Sequence, residues 1–500
     1  MNKVLKGLVA VVSTAAMAIA GFAGAASATA AGTNYDITVP STDTHTYSVY
    51  QVFTGDLSNG TLSNIKAGQN FNKNNTASKS AADAAAEIAQ GTYANNTEKL
   101  AAITPYVDLT GTAFGEVSAN TALSAPAGYY LLKDKDAVTG DDAATLFIVQ
   151  VNGPVTVNRK ADKPTFEKKV KDVNDSTGDK SDWQDSADYD VNDDVPFQLT
   201  ATLPTNEADF AAYKTYKLVF HDQQSAGLTL NKDSVVVKYG DQTLGTDSYT
   251  LETPATDKDT FDITINDAKT VKDADGSAIT VAAGGKFTVE YTSKLNENAV
   301  IGAAGNPNEA SLEFSNNPNV GGEGNTGKTP TDKVIVFTYQ LDINKTFNGG
   351  TPDDNDLPEF TLYKFDSTTN KYTTNVGKVD ITKTADGKYT ASFKRVDDGK
   401  YKLVETKTPA GFNTAADTTF EITAEHDVES DNPQLTVLKI NTTAGNTTAG
   451  TVVADVVNQR GSNLPSTGGM GTTILYAAGA AIVLVAAFGI AFAVRRRNAR

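Results

Sequence analysis

The chain has 500 residues, more than one hydrophobic core usually organises, so three or so folded units are expected. Lys+Arg 43 against Asp+Glu 60 gives a net charge of −17, a surface that repels phosphate backbones and excludes nucleic acid as an expected partner. Cys 0 rules out disulfides, thiolate metal sites and cysteine nucleophiles, and only His45, His221 and His426 are available for imidazole chemistry, so no enzyme, cofactor or metal centre is expected.

Lys3 and Lys6 precede an apolar run from Gly7 to Ala25, and the small residues Ala26 to Ala31 offer a cleavage site. Residues 1–30 therefore read as a secretory signal peptide. A first β domain follows over 31–160, with one helix expected where the Ala-rich spacing runs from Ser80 to Gln90. No buried lysine with a matching asparagine can be phased in this domain, and no internal cross-link is expected there. At its end Val155, Val157 and Arg159 alternate with Thr156, Asn158 and Lys160, which puts Lys160 on the solvent side.

The second domain is read over 161–327, ending in the Gly/Asn-rich stretch Asn317 to Gly327, and the third over 328–460. Each length suits a sandwich of about seven short strands. On a strand, a polar residue in phase with apolar ones is directed inward, where an unpaired charge is costly. Phe166, Lys168 and Val170 share one face, as do Tyr216, Leu218, Phe220 and Asp222, and Leu312, Phe314 and Asn316. The third domain repeats the order: Ile335 to Lys345 alternate along one long strand, Tyr401, Leu403 and Glu405 share a face, and Val452, Ala454, Val456 and Asn458 share another. A lysine in apolar surroundings tends to the neutral amine, and a buried carboxyl tends to its protonated form. Such an amine can attack the asparagine side-chain carbonyl while the acid shuttles protons, leaving a Lys–Asn amide and ammonia. The expected sets are Lys168, Asp222 and Asn316, and Lys345, Glu405 and Asn458, with Lys169 and Asn317 second in rank should a bulge shift the register. Between the first two strands of the second domain lies an acidic run, Asp172 to Asp194. Calcium is conceivable there, but the run lacks the spacing of a known loop and is read as a solvated charge run.

Residues 461–500 close the chain: Leu464-Pro465-Ser466-Thr467-Gly468, an apolar stretch over 474–494 long enough to cross a membrane, then Arg495, Arg496 and Arg497. This trio resembles the LPxTG cell-wall sorting signal of Gram-positive surface proteins. The resemblance implies cleavage by a sortase between Thr467 and Gly468 and a mature chain from about Ala31 to Thr467.

Tyr401-Lys402-Leu403-Val404-Glu405-Thr406-Lys407-Thr408-Pro409-Ala410-Gly411-Phe412 resembles the E-box of Cna-B type domains, whose Glu assists an isopeptide bond. The segments around Lys168, Asp222 and Asn316 resemble the second-type fimbrial isopeptide domain, and Val155 to Lys160 resembles the pilin motif, with Asn158-Arg159 where Tyr-Pro is usual. Together these resemble the major backbone pilin of a sortase-assembled pilus. The fold so implied is all-β: tandem Ig-like, Cna-type β-sandwich domains with small helical insertions. The implied function is a fibre subunit supporting adhesion, with Lys160, or Lys163 as the alternative, accepting the Thr467 carboxyl of the next copy. The implied partners are sortases, other copies of the chain, tip and basal pilins and peptidoglycan, at the cell-wall-anchored surface of a Gram-positive bacterium. A monomeric wall-anchored adhesin with the same internal bonds is the alternative.

Overall fold

The period-2 patterning becomes thirty strands and two α-helices among the described residues of the computed structural model. The structure describes residues 33–58, 61–75, 77–91, 101–135, 146–157, 162–256, 259–316 and 326–461. The predicted signal peptide, Lys160, Asn317, the Leu464 to Gly468 motif and the 474–494 span lie outside these residues. Among the described residues no helix is long and apolar enough to cross a membrane.

In the first domain a sheet of four strands, Thr61–Ala67, Thr46–Ser58, Gly128–Asp134 and Leu146–Val151, joined by Gly115–Ser118, faces a three-stranded sheet that includes Asn34–Thr38. The helix Ala81–Gln90 starts where the sequence placed it, because the Ser80 side chain accepts from the Asp83 backbone N–H and caps the first turn. It buries Ala84, Ala85 and Ile88.

The second domain is a two-sheet sandwich. One sheet carries Thr165–Val170 at its edge, then Asp194–Thr202, Lys286–Leu295 and Leu228–Tyr239; the other carries Leu218–Gln224 between Phe261–Ile265 and Asn306–Ser315. Aromatic residues from both sheets, Phe197, Phe220, Phe261, Phe287 and Phe314, fill the space between them. In the third domain Tyr339–Asn348, its first strand, runs parallel to Thr451–Gln459, its last, and a second sheet carrying Gly399–Lys407 packs across them.

The second domain extends further than its composition indicated. Thr326–Lys328 and Asp332–Phe337 both pair with Asn306–Ser315, so residues 326–337 complete the second sandwich and the junction falls at Thr338, not at 327/328. The predicted long strand from Ile335 to Lys345 is accordingly two strands, broken at Thr338. Val334 and Val336 enter the second core while Ile335 and Phe337 enter the third, so one strand is shared between two cores.

Candidate functional site

Thr165–Val170 pairs with Asp194–Thr202 without a bulge, which holds Lys168 opposite Leu199 and directs its side chain between the sheets. Lys168 is fully buried. Its Nζ donates to Asp222 Oδ2 at 2.5 Å and to Tyr291 Oη at 2.8 Å, and lies over the rings of Phe197 and Tyr291. Burial lowers the Lys168 pKa, opposed by the Asp222 charge. Burial also holds the Tyr291 phenol well above its usual range, so it stays protonated and donates to Asp222 Oδ2 at 2.6 Å.

The structure brings Lys168 and Asp222 together but places Asn316 elsewhere. The ladder between Leu218–Gln224 and Asn306–Ser315 sets Asp222 opposite Ala310 and Leu218 opposite Phe314, so Asn316 lies beyond the far end of the pairing. Six residues of strand separate it from Ala310, roughly 20 Å at the usual rise, too far for a lysine to span. The asparagine at the site is Asn308, fully buried, whose Nδ2 donates to the same Tyr291 Oη at 3.0 Å. One hydroxyl thus touches both the lysine amine and the asparagine amide, and the Asn308 carbonyl oxygen is buried without a hydrogen-bond partner. Sequence reasoning missed Asn308 and Tyr291. Asn308 is in phase with Ala310, Leu312, Phe314 and Asn316, so alternation gives both asparagines the same face; only the register with Asp222 separates them. Lys169, second in rank, points outward to Asp185 at 2.7 Å, and those contacts raise its pKa against the effect of burial.

The third domain assembles its predicted trio by another route. Lys345 sits opposite Val456 on the parallel neighbour, and Asn458 follows two residues on along the same face. Lys345 is 2% exposed; its Nζ donates to the Val456 carbonyl at 3.3 Å and lies over Phe347. Burial lowers its pKa to about 8, partly offset by Glu405. Glu405 comes from the opposite sheet, accepts from Asn458 Nδ2 at 3.0 Å on both oxygens, and also accepts from the Ala415 N–H. The Asn458 carbonyl oxygen, like that of Asn308, is buried without a hydrogen-bond partner. Each site therefore sets an amine of depressed basicity near an amide whose nitrogen is held and whose oxygen is open.

The acidic run is less solvated than expected. Asp185 and Asp188 are buried, and the loop docks on the third domain through Asp185 N–H to Val428 O and Ser430 N–H to Asp185 Oδ2. A third buried lysine, Lys364, contacts Asp397, Asp190 and Asp175 there.

Residues 354–434 match the SpaA prealbumin-like fold domain. A stretch of 147 residues is 33% identical to the trypsin-resistant surface T6 protein of Streptococcus pyogenes serotype M6, covering 27% of this chain and 25% of that protein. The matched stretch is thus about a quarter of that relative's length. The solved T6 backbone pilin of serotype M6 S. pyogenes, described as a modular three-domain structure decorated with variable loops and extensions, is similar at TM-score 0.52 and 17% identity over 86% of this chain and 99% of that one. The chain has a backbone-pilin fold. The full-length major pilin SpaD from Corynebacterium diphtheriae is similar over 86% of this chain and 97% of its own, with 19% identity and a TM-score of 0.48. Within the backbone-pilin fold, the lysine and asparagine of the first site face each other from opposite sheets of its sandwich, and those of the second lie on neighbouring parallel strands.

Proposed function

We propose that the chain is the shaft subunit of a covalently polymerised surface pilus, stapled internally by two Lys–Asn isopeptide bonds. The observation that carries this reading is the pair of buried lysine, acid and asparagine groups, Lys168–Asp222–Asn308 and Lys345–Glu405–Asn458, inside a backbone-pilin fold. In each, the neutral Nζ attacks the asparagine Cγ; one N–C bond forms, the bond from Cγ to Nδ2 breaks, and protons pass from Nζ to the departing nitrogen through the carboxyl, so that ammonia leaves. Tyr291 holds amine and amide on one oxygen, supplying the proximity that the reaction needs. A covalent loop of ~100 residues is worth ~4.7 kcal/mol in the chain-entropy model.

In this reading the signal peptide exports the chain and a sortase cuts between Thr467 and Gly468. It then joins Thr467 to Lys160, or to Lys163, of the next copy, so a heterologous contact grows into an open filament. Tip and basal pilins and attachment to peptidoglycan complete the proposed assembly, which supports adhesion at the surface of a Gram-positive cell. The intact mass of the secreted chain tests the internal chemistry. Loss of two ammonias requires a deficit of about 34 Da. Lys168→Ala, Lys345→Ala and Asn308→Ala should each restore about 17 Da, and Asn316→Ala should restore none. A high-molecular-weight ladder in wall extracts, lost on Lys160→Ala, separates the polymer from a monomeric adhesin.

A further inference from the structure

Where the second domain meets the third, acids outnumber cations, and the innermost of them are buried. The second domain contributes Asp172, Asp175, Asp188, Asp190 and Asp193, and the turn before Gly399–Lys407 contributes Asp397 and Asp398. Against these stand Lys364 and His426. Lys364 is committed: its Nζ donates to Asp397 Oδ2 at 2.9 Å, Asp190 Oδ2 at 2.7 Å and Asp175 Oδ2 at 3.2 Å. His426 faces the other side of Asp188, with Nε2 at 3.7 Å from Oδ1, and its Nδ1 is shared with the Ser186 hydroxyl. Asp398 takes one bond, from Asn174 Nδ2 to Oδ1 at 2.6 Å.

Two carboxylate oxygens are left over. Asp188 Oδ2 and Asp397 Oδ1 are buried without a hydrogen-bond partner, on residues 3% and 1% exposed. Oxygens of Asp188, Asp397 and Asp398 lie within 4.8 Å of one another, and the buried Tyr339 hydroxyl, kept protonated by burial, is turned toward Asp188 from beyond full hydrogen-bond distance, a weak neutral donor that leaves the charge of the acids uncompensated. Unpaired buried carboxylate oxygens are costly, and a lysine already holding three acids does not offset them.

We propose that a divalent cation of the calcium class binds between Asp188, Asp397 and Asp398 and ties the second domain to the third. The donor set is all oxygen, which favours a hard cation over the metals that histidine and thiolate select. Calcium suits it better than magnesium, which keeps several of its waters and holds to a strict octahedron. Because Asp188 comes from the strand Ser186–Asp188 of one domain and the other two acids from the next, the ion would act across the junction at Thr338.

The test uses the full-length chain stripped of metal by chelation, titrated calorimetrically with CaCl2 at about pH 8 and followed by thermal unfolding. We expect saturable one-to-one binding and a midpoint raised by several degrees at about 1 mM Ca²⁺, reversed by EDTA. Asp398→Asn, at the more exposed member of the trio, should weaken binding about tenfold or more while leaving the isopeptide mass deficit in place. Asp188→Asn should abolish binding; should that variant not fold, the Asp398→Asn result still decides. Absence of binding heat together with an unchanged midpoint would overturn the proposal and leave protons as the neutralising species. Equal affinity for calcium in Asp398→Asn and the parent would overturn it too, by placing the ion elsewhere.

Discussion

Three lysines are buried among the described residues, and their neighbours give them opposite chemistry. Lys168 and Lys345 each meet one acid in a largely apolar pocket, and burial wins: both pKa values fall. Lys364 is equally enclosed, but Asp397, Asp190 and Asp175 outweigh burial and hold it firmly as the ammonium. It is a structural cation and no nucleophile. Its removal should leave buried acids uncompensated, so Lys364→Met is expected to cost about 3–5 kcal/mol, read as a lower unfolding midpoint with the 34 Da deficit, roughly, intact. Lys345 gives a pH signature. Asn458→Ala leaves its amine free, with a folded-state value of about 8 against the ordinary 10.5. Across that window the unfolded chain binds more protons than the folded one, so stability rises with pH; the contribution is complete above the ordinary value and is lost as pH falls through about 8. The unfolding midpoint of Asn458→Ala should therefore climb relative to the cross-linked parent from about pH 7 to about pH 10. A constant difference between the two would show that Lys345 is not held as a weakened base. The residue types and faces at these sites were legible in the sequence, since Lys168, Asp222, Lys345, Glu405 and Asn458 all lie on the predicted side. The choice of Asn308 over Asn316 was not, because two asparagines in one phase on one strand differ only in register, and register depends on the partner strand.

At the scale of elements, the strand Asp332–Phe337 explains why composition puts the domain boundary too early. A half-buried strand alternates apolar with polar, whereas Val334-Ile335-Val336-Phe337 is apolar throughout because its two faces serve two cores. Sequence alone merges such a run with the strand after it, and the Gly/Asn stretch that resembled an inter-domain linker precedes an edge strand of the same sandwich. The inward phase nevertheless survives the break at Thr338, which is why Lys345 was assigned to the correct face. The sharing also stiffens the molecule. Ile335 or Phe337 cannot leave the third core without disturbing the pairing of the second, so a Phe337→Ala substitution should destabilise both domains together. A large-to-small change of this kind costs about 3–5 kcal/mol. Two separate unfolding transitions, only one of them shifted, would show that the sandwiches are energetically independent.

For the whole molecule, the positions of the two proposed staples set how the proposed fibre would bear load. With Lys160 as acceptor and Thr467 as donor, tension enters just before the second domain and leaves after the third, so the first domain hangs outside the load path. With both proposed bonds formed, the force between those points would cross from Lys168 to Asn308, follow the backbone to Lys345, cross to Asn458 and exit. The one long stretch without a covalent bypass is the segment from Asn308 to Lys345, which contains the shared strand and Thr338. Fully drawn out, a segment of that length reaches at most ~130 Å. Pulling single molecules between residues 160 and 467 should therefore lengthen the second and third domains by no more than about that amount, in place of the many hundreds of ångströms that unravelling both would give. The Asn308→Ala variant should add one large step for the second sandwich, and Asn458→Ala one for the third. A parent molecule that releases either whole domain under tension would mean the staples do not lie on the path the force takes.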